Sequence, residues 1–514
     1  MKMRSWIFAI VGLLFTFNVA VAELRLHGLF TDNLILQRDE PVYIYGTCDD
    51  DDAVTVWFRN IPTKAKVKDG KFIAKLKALK AGGPDDLRVT AYRTYRKGRQ
   101  VPPPETNQIG NVVVGEVWIA SGQSNMEWPL RASDKAEEAI AASANPNIRL
   151  YTVPKLKAES PTNNVTGSWQ VCDPAAVPNF SAVAYFFARD LQKALNVPVG
   201  IIHTSWGGSP AEVWMSEEVL KRKEYEPLWA YYKESDSRFQ TALAKFEQDE
   251  AAAKKAGKEF KTQRPRPSGW KPAELYNGMI APLLNFRIKG AIWYQGESNA
   301  GRAWEYRTLF QDMIKNWRKD FGQGAFPFLE VQLAPFKTYK SGVDESDWAE
   351  LREAQALATK ELKNVGMAVI TDVGDQKDIH PKQKEPVGAR LALAARAIAY
   401  DEKIPYSGPI YKGKDIRGNK IVLHFDHVGS GLDARGGELK GFQICGADHR
   451  WQWAKATIQG DTVVVTHYDI AEPIAVRYGW ADFPVVNLWN KNGLPASPFR
   501  TDEFPVTTQS KKSS

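Results

Sequence analysis

A serine flanked by amides and a histidine on a distant loop are the residues with the clearest means of doing chemistry. Gly122-Gln123-Ser124-Asn125-Met126 follows an apolar run, Val117-Trp118-Ile119-Ala120, that reads as a buried strand. Glu127-Trp128-Pro129 comes next, and the residue before a proline resists helix, so the Ser124 hydroxyl sits in a turn at the strand's carboxyl end. In an open α/β sheet that edge is where loops converge on a crevice and catalytic groups collect. A serine in such a turn is also a common local cap, so the pentapeptide alone leaves both readings open. A nucleophilic serine needs a base, a group that orients the base, and donors for the oxyanion formed on attack.

The chain has seven histidines, few enough to compare one by one. His424 and His467 fall in expected strands near the end of the chain, and His27, His427 and His449 lie outside the α/β region. His203 ends a buried strand as a core or rim residue. His380 remains, in Asp372-Val373-Gly374-Asp375-Gln376-Lys377-Asp378-Ile379-His380-Pro381, with an amphipathic helix expected at 387–399. A histidine on a loop at a strand's carboxyl edge, with carboxylates just upstream, is placed to reach Ser124. The same edge offers donors. Ser205-Trp206-Gly207-Gly208-Ser209 follows the second strand, where glycines free backbone N–H groups to face a ligand. Gln295-Gly296-Glu297-Ser298-Asn299 follows the third and brings a side-chain amide. One such donor contributes ~3 kcal/mol of transition-state stabilisation. Taken separately, each glycine pair reads first as a plain tight turn; the joint pattern carries the reading.

These groups need a frame. Five apolar runs, at 113–120, 199–203, 290–294, 326–332 and 366–371, read as buried parallel strands, with helical patterns between them at 182–195, 306–317 and 349–362. The expectation is a doubly wound α/β domain over 109–402. A polar segment at 216–270 interrupts it, with an exposed helix expected at 242–258 and stopped by Arg264-Pro265-Arg266-Pro267. It reads as a lid, a substrate-shaping wall or a decorative excursion. Short strands with turn signals precede the α/β region at 23–108 and follow it at 403–506, so a β-sandwich-like domain is expected on each side. Val101-Pro102-Pro103-Pro104 reads as a linker, 507–514 as a tail and 509–514 within it as frayed.

Composition sets the class. With 514 residues, 43% hydrophobic and 25% charged, the chain has length for two to four folded domains. The net charge of +8 is spread along the chain without a Lys/Arg block, so nucleic-acid binding is not indicated. The 17 Trp and 18 Tyr suit sugar or peptide surfaces as well as core. Lys2 and Arg4, the apolar stretch 6–17 and Ala20-Val21-Ala22 read as a signal peptide cleaved before Glu23, hence export to a periplasm or medium and no membrane association after cleavage. Cys48, Cys172 and Cys445 are too few and too scattered for a disulfide framework or a thiolate metal site.

Gly122-Gln123-Ser124-Asn125-Met126, Ser205-Trp206-Gly207-Gly208, Trp293-Tyr294-Gln295-Gly296-Glu297-Ser298-Asn299, Asp378-Ile379-His380-Pro381 and Leu494-Pro495-Ala496-Ser497-Pro498-Phe499-Arg500 together resemble the sialate O-acetylesterase family, of the SGNH hydrolases. The resemblance runs from about residue 24 to 502. It implies a flavodoxin-type parallel sheet and a serine esterase, independent of metal and cofactor, that removes O-acetyl groups from carbohydrates. Acetylated xylan or another hemicellulose is an alternative substrate, and a carbohydrate-binding protein without catalysis an alternative use of the fold. By the resemblance Ser124 is the nucleophile and His380 the base, with the Ser124 amide, Gly207 or Gly208 as backbone oxyanion donors. Gln295 is favoured over Asn299 as the side-chain donor. Gln123, Asn125, Trp206, Glu297 and Asn299 are expected to bind substrate. The sequence departs from the family at the acid: the position three before the histidine is Lys377. Asp378 is the first choice, Asp375 and Asp372 the fallbacks, and a dyad held by a backbone carbonyl stays open. The oligomeric state is not legible.

Overall fold

The computed structural model describes residues 23–49, 53–92, 103–267 and 269–509. The expected signal peptide, the first half of the 101–104 linker and residues 510–514 lie outside them. No helix among the described residues is long and apolar enough to cross a membrane.

The architecture is mixed α/β, built on six parallel strands: β1 (Glu105–Gly122), β2 (Asn145–Thr152), β3 (Val199–Ser205), β4 (Gly290–Tyr294), β5 (Phe328–Val331) and β6 (Val365–Ala368). Their order across the sheet is β2-β3-β1-β4-β5-β6. Five correspond to the apolar runs read from the sequence. The sixth, β2, was not expected: Asn145, Pro146, Asn147 and Arg149 break its apolar pattern, yet Ile148 to Tyr151 are buried. Arg149 is buried with them; its Nη2 donates to Asn111 Oδ1 at 3.1 Å, while Nε and Nη1 are buried without a protein partner among the described residues.

Alternation along the strands divides their side chains between two apolar layers. Ile292 and Tyr294 pack with Trp118, Phe187 and Leu391 on one face, where helices α1 (Ala182–Leu195) and α5 (Glu385–Ala399) lie. Ala291 and Trp293 pack with Phe310, Trp317 and Leu351 on the other, against α3 (Ala303–Phe321) and α4 (Asp347–Glu361). Burial on both faces is what makes these strands read as continuous apolar runs.

The amino-terminal strands Val42–Thr47, Ala53–Phe58, Ile61–Lys68, Lys71–Leu76 and Gly82–Tyr92 pair antiparallel. The last of them continues onto the first half of β1. The 18-residue β1 therefore serves both units, and the division expected at 108/109 falls inside one unbroken strand. After α5 the chain forms two further four-stranded antiparallel sheets and a two-stranded one. The insertion helix α2 (Glu226–Lys255) is longer than expected, 30 residues rather than the stretch from 242, because nothing between Pro227 and Lys255 breaks it. It buries only Leu228, Ser235 and Phe246. The start of the expected tail, ahead of the stretch read as frayed, is anchored: Thr507 and Thr508 donate backbone N–H and hydroxyl to the Glu350 carboxylate at 2.5–3.0 Å.

Candidate active site

Three strand ends lie side by side under the site, Gly122 of β1 in register with Ser205 of β3 and Tyr294 of β4. Gly122 has φ +137° and a Cβ there would stand 2.1 Å from the Tyr294 carbonyl oxygen, so only glycine lets β1 turn at this point. The turn delivers Ser124 to the start of a one-turn helix, Ser124–Glu127. His380 arrives from the loop after β6, which bridges to the loop after β5 through Phe336 and Asp375.

His380 Nε2 lies 2.8 Å from Ser124 Oγ. Both line an open pocket of about 600 Å³ with Glu127, Trp128, Arg131, Lys155, His203 and Ser205. The Trp128 ring stacks on the imidazole, centroids 5.1 Å apart and planes within 19°. Asp378 Oδ1 is 3.3 Å from His380 Nδ1 and also accepts the His380 backbone N–H at 2.9 Å. The other two carboxylates are engaged elsewhere. Asp372 takes a bidentate pair from Arg390 at 2.6 and 2.7 Å, and Asp375 Oδ1 accepts the N–H groups of Lys377 and Asp378 at 2.7 and 3.1 Å. Burial holds His380 below the ordinary histidine value; Asp378 pulls it up again and Lys384 pushes it down. The imidazole is thus a free base at neutral pH.

His203 is the second histidine of the pocket wall, its Nε2 2.6 Å from Ser205 Oγ and its pKa lowered to about 4 by burial. Cys172 and Cys445 are buried thiols pushed up to about 12 and about 11 by burial, which removes them as nucleophiles at neutral pH.

Two expectations for oxyanion donors change. Gln295 is fully buried, and its amide gives one hydrogen to Asn299 Oδ1 at 2.7 Å and the other to the Ser209 carbonyl at 3.3 Å, while its oxygen accepts from Tyr306 at 2.9 Å. It has no hydrogen left for a ligand. Gly207 stands against Ser124, but its N–H donates to Glu127 Oε2 at 2.7 Å, and Glu127 Oε1 pairs with Lys155 at 2.5 Å. Gly208 is exposed in open space at φ +76°.

Of the five expected substrate contacts, only Trp206 is at the rim, edge-on to Trp270 at 5.7 Å with the Lys155 and Lys157 ammonium groups over its ring at 5.3 and 5.9 Å. Trp270 closes the 216–270 segment, so one end of that insertion reaches this wall. Gln123, Asn125 and Asn299 are 3%, 1% and 1% exposed and do not face the pocket. Gln123 Oε1 accepts the Gly296 and Ser298 N–H groups, and Asn299 joins Gln295, Ala211 and Glu212. Asn125 donates to Glu297 Oε1 at 2.6 Å and to the Ile379 carbonyl at 3.0 Å, and accepts from Lys384 Nζ at 2.5 Å. Glu297 turns its carboxylate inward, where Oε2 is out of reach of solvent. Buried polar groups need partners, and these amides found theirs in the neighbouring loops. The sequence reading missed Glu127, Arg131, Lys155 and Lys384. Glu127 follows Ser124 by three residues and was findable; Lys155 and Lys384 carry no local signal.

The family model for carbohydrate esterase, sialic acid-specific acetylesterase, matches residues 261–397. The crystal structure of a carbohydrate acetylesterase from Xanthomonas citri is 39% identical, covers 94% of this chain and 100% of its own, and superposes with a TM-score of 0.79. The chain belongs to the sialate O-acetylesterase family of carbohydrate esterases. Sialate O-acetylesterases of Rattus norvegicus and Homo sapiens are 28% and 29% identical to it, over 91% and 86% of this chain and 93% and 85% of theirs. Membership of this esterase family decides against a purely carbohydrate-binding role.

Proposed function

We propose that this esterase hydrolyses O-acetyl groups on sugars with Ser124 as nucleophile and His380 as general base. The observation that carries the reading is the 2.8 Å contact between Ser124 Oγ and His380 Nε2 in an open pocket. His380 takes the hydroxyl proton as Ser124 attacks the acetyl carbonyl, then gives it to the departing sugar oxygen; water repeats the sequence on the acetyl-enzyme. Asp378, whose carboxylate is beside Nδ1, favours the imidazolium formed in between. Negative charge on the carbonyl oxygen is met by the Ser124 N–H at the start of its short helix, with Gly207 or Gly208 as the second donor. For Gly207 to serve, Glu127 must first let go of its N–H.

The order β3-β1-β4-β5-β6, with β2 beyond β3 and the short strand Gln170–Cys172 antiparallel beside β2, is read as the flavodoxin-type sheet of SGNH hydrolases, over 109–402, with β-sandwich-like domains at 23–108 and 403–506. Export rests on the residue pattern of 1–22. The sugar class named by the curated relatives is sialic acid. Acetate release from acetylated sialic acid, acetylated xylan and a long-chain ester, by the enzyme and by Ser124→Ala, tests activity and substrate together. Turnover is expected only on acetyl esters and only with Ser124 present; turnover by Ser124→Ala would overturn the assignment.

A further inference from the structure

Lys384 lies just before α5, 1% exposed, behind the Ser124–His380 pair. A lysine there is costly twice over, since burial strips its hydration and the start of a helix repels a cation. It has two kinds of compensation. Its Nζ donates to Asn125 Oδ1 at 2.5 Å, and Asn125 in turn donates to Glu297 Oε1 at 2.6 Å and to the Ile379 carbonyl at 3.0 Å. The ammonium also stands over the rings of Trp128 and Tyr294, at 5.8 and 5.4 Å. Trp128 carries the His380 ring stacked on its face. One amide thus ties three things together: the Ser124 helix, a buried cation with its counter-carboxylate, and the peptide immediately before His380.

We propose that Lys384 is a positioning residue for His380: through Asn125 it holds the loop that carries the imidazole, and over the Trp128 ring on which that imidazole stacks it places a second cation close to the base. The inference rests on the reading of Ser124 and His380 as the reacting pair. The charged groups acting on His380 are Asp378 from its own loop, which favours the imidazolium, and Lys384 from the edge of α5, which opposes it. Glu127, Arg131 and Lys155 line the pocket into which the imidazole opens. Those acting on Lys384 are Glu297 and Asp378, while burial lowers it to about 7. Below pH 6.5, where His380 would take up its proton, Lys384 is therefore already charged and the two cations repel.

The test is the acid limb of the kcat/KM profile in Lys384→Met, Lys384→Arg and the double variant Lys384→Met/Glu297→Gln, with thermal unfolding measured alongside. Loss of the cation is expected to move the limb up by about half a pH unit, the direction set by removing a like charge, and to lower kcat with little change in KM. Lys384→Arg, which keeps the charge, is expected to leave the limb in place. The double variant removes both members of the pair, leaves no lone buried charge to prevent folding, and should show the same upward shift. A folded double variant whose limb does not move, whether or not kcat falls, overturns the proposal. If Ser124→Ala is inactive and the limb stays put, Lys384 alone loses its role; if Ser124→Ala still turns over, the reacting pair itself is wrong.

Discussion

Gly207 N–H donates to Glu127 Oε2 at 2.7 Å, so a carboxylate occupies a backbone donor directly beside the Ser124 side chain. An anionic intermediate that takes Gly207 as its second donor needs that N–H and is repelled by the group that holds it. Glu127→Ala is expected to raise kcat/KM for a small acetyl ester about fivefold, the equivalent of the ~1 kcal/mol net strength of one hydrogen bond. Steady-state kinetics check it. A fall instead would mean that the carboxylate is needed to hold the 205–208 loop.

As the proposed base, His380 must be neutral to accept the Ser124 proton. Its pKa is lowered from the ordinary 6.5 by burial, so the protonated, inactive form accumulates only below that value. kcat/KM is expected to be flat above pH 6.5 and then to fall about tenfold for each pH unit below the lowered pKa. His380→Ala should lose ~10²–10⁴ in kcat, the usual worth of a general base. An acid limb centred above pH 7 would contradict the burial of this imidazole.

Asp378 and Asp372 separate a role in orientation from a role in stability. Asp378→Asn removes the carboxylate beside His380 Nδ1 and is expected to lower kcat about tenfold, less than for a buried acid because the Asp378 side chain is 44% exposed. Asp372→Asn breaks the bidentate pair with Arg390, whose side chain is only 10% exposed, and should cost ~1–2 kcal/mol of stability with kcat per folded molecule unchanged. Denaturant unfolding beside kinetics on both variants tells them apart. The reverse pattern would make Asp372 the acid.

Glu330 in β5 is fully buried with neither carboxylate oxygen bonded, between Trp293 of β4 and Met367 of β6 in the sheet. Burial raises it well above the ordinary 4.5, so the folded chain keeps its proton to higher pH than the unfolded chain does. Its contribution is therefore fully present below pH 4.5 and is lost as the pH rises. Glu330→Met should raise the unfolding free energy by ~1–3 kcal/mol at pH 8, the cost of an unsatisfied buried polar group. The gain is expected to shrink at pH 4.5, and equal gains at both values would remove the ionisation argument.

The amino-acid sequence by itself determined the parallel strands and the helices that flank them. Fully buried strands such as β3 and β4 must be apolar along their whole length, and α1, read at 182–195, carries its apolar stripe and its Ser181 cap in the open. It failed at β2, where Arg149 is buried against Asn111, and at the first half of α2, which has little apolar face to show. That residues 124 and 380 share an edge was inferable because each follows a strand's carboxyl end. Only the tertiary structure decided which way the polar side chains at that edge turn. Gln295, Asn125 and Asn299 look equally suited to a ligand on paper. Each instead closes hydrogen bonds inside the protein, because a buried amide takes whichever partner the neighbouring loop brings within about 3 Å. Lys384, without any local signal, became part of the site through packing more than 250 residues away from Asn125 in the chain. Residue type and spacing record what must be buried and where the chain can turn; the partner of a polar group is set by distances that exist only once the chain has folded.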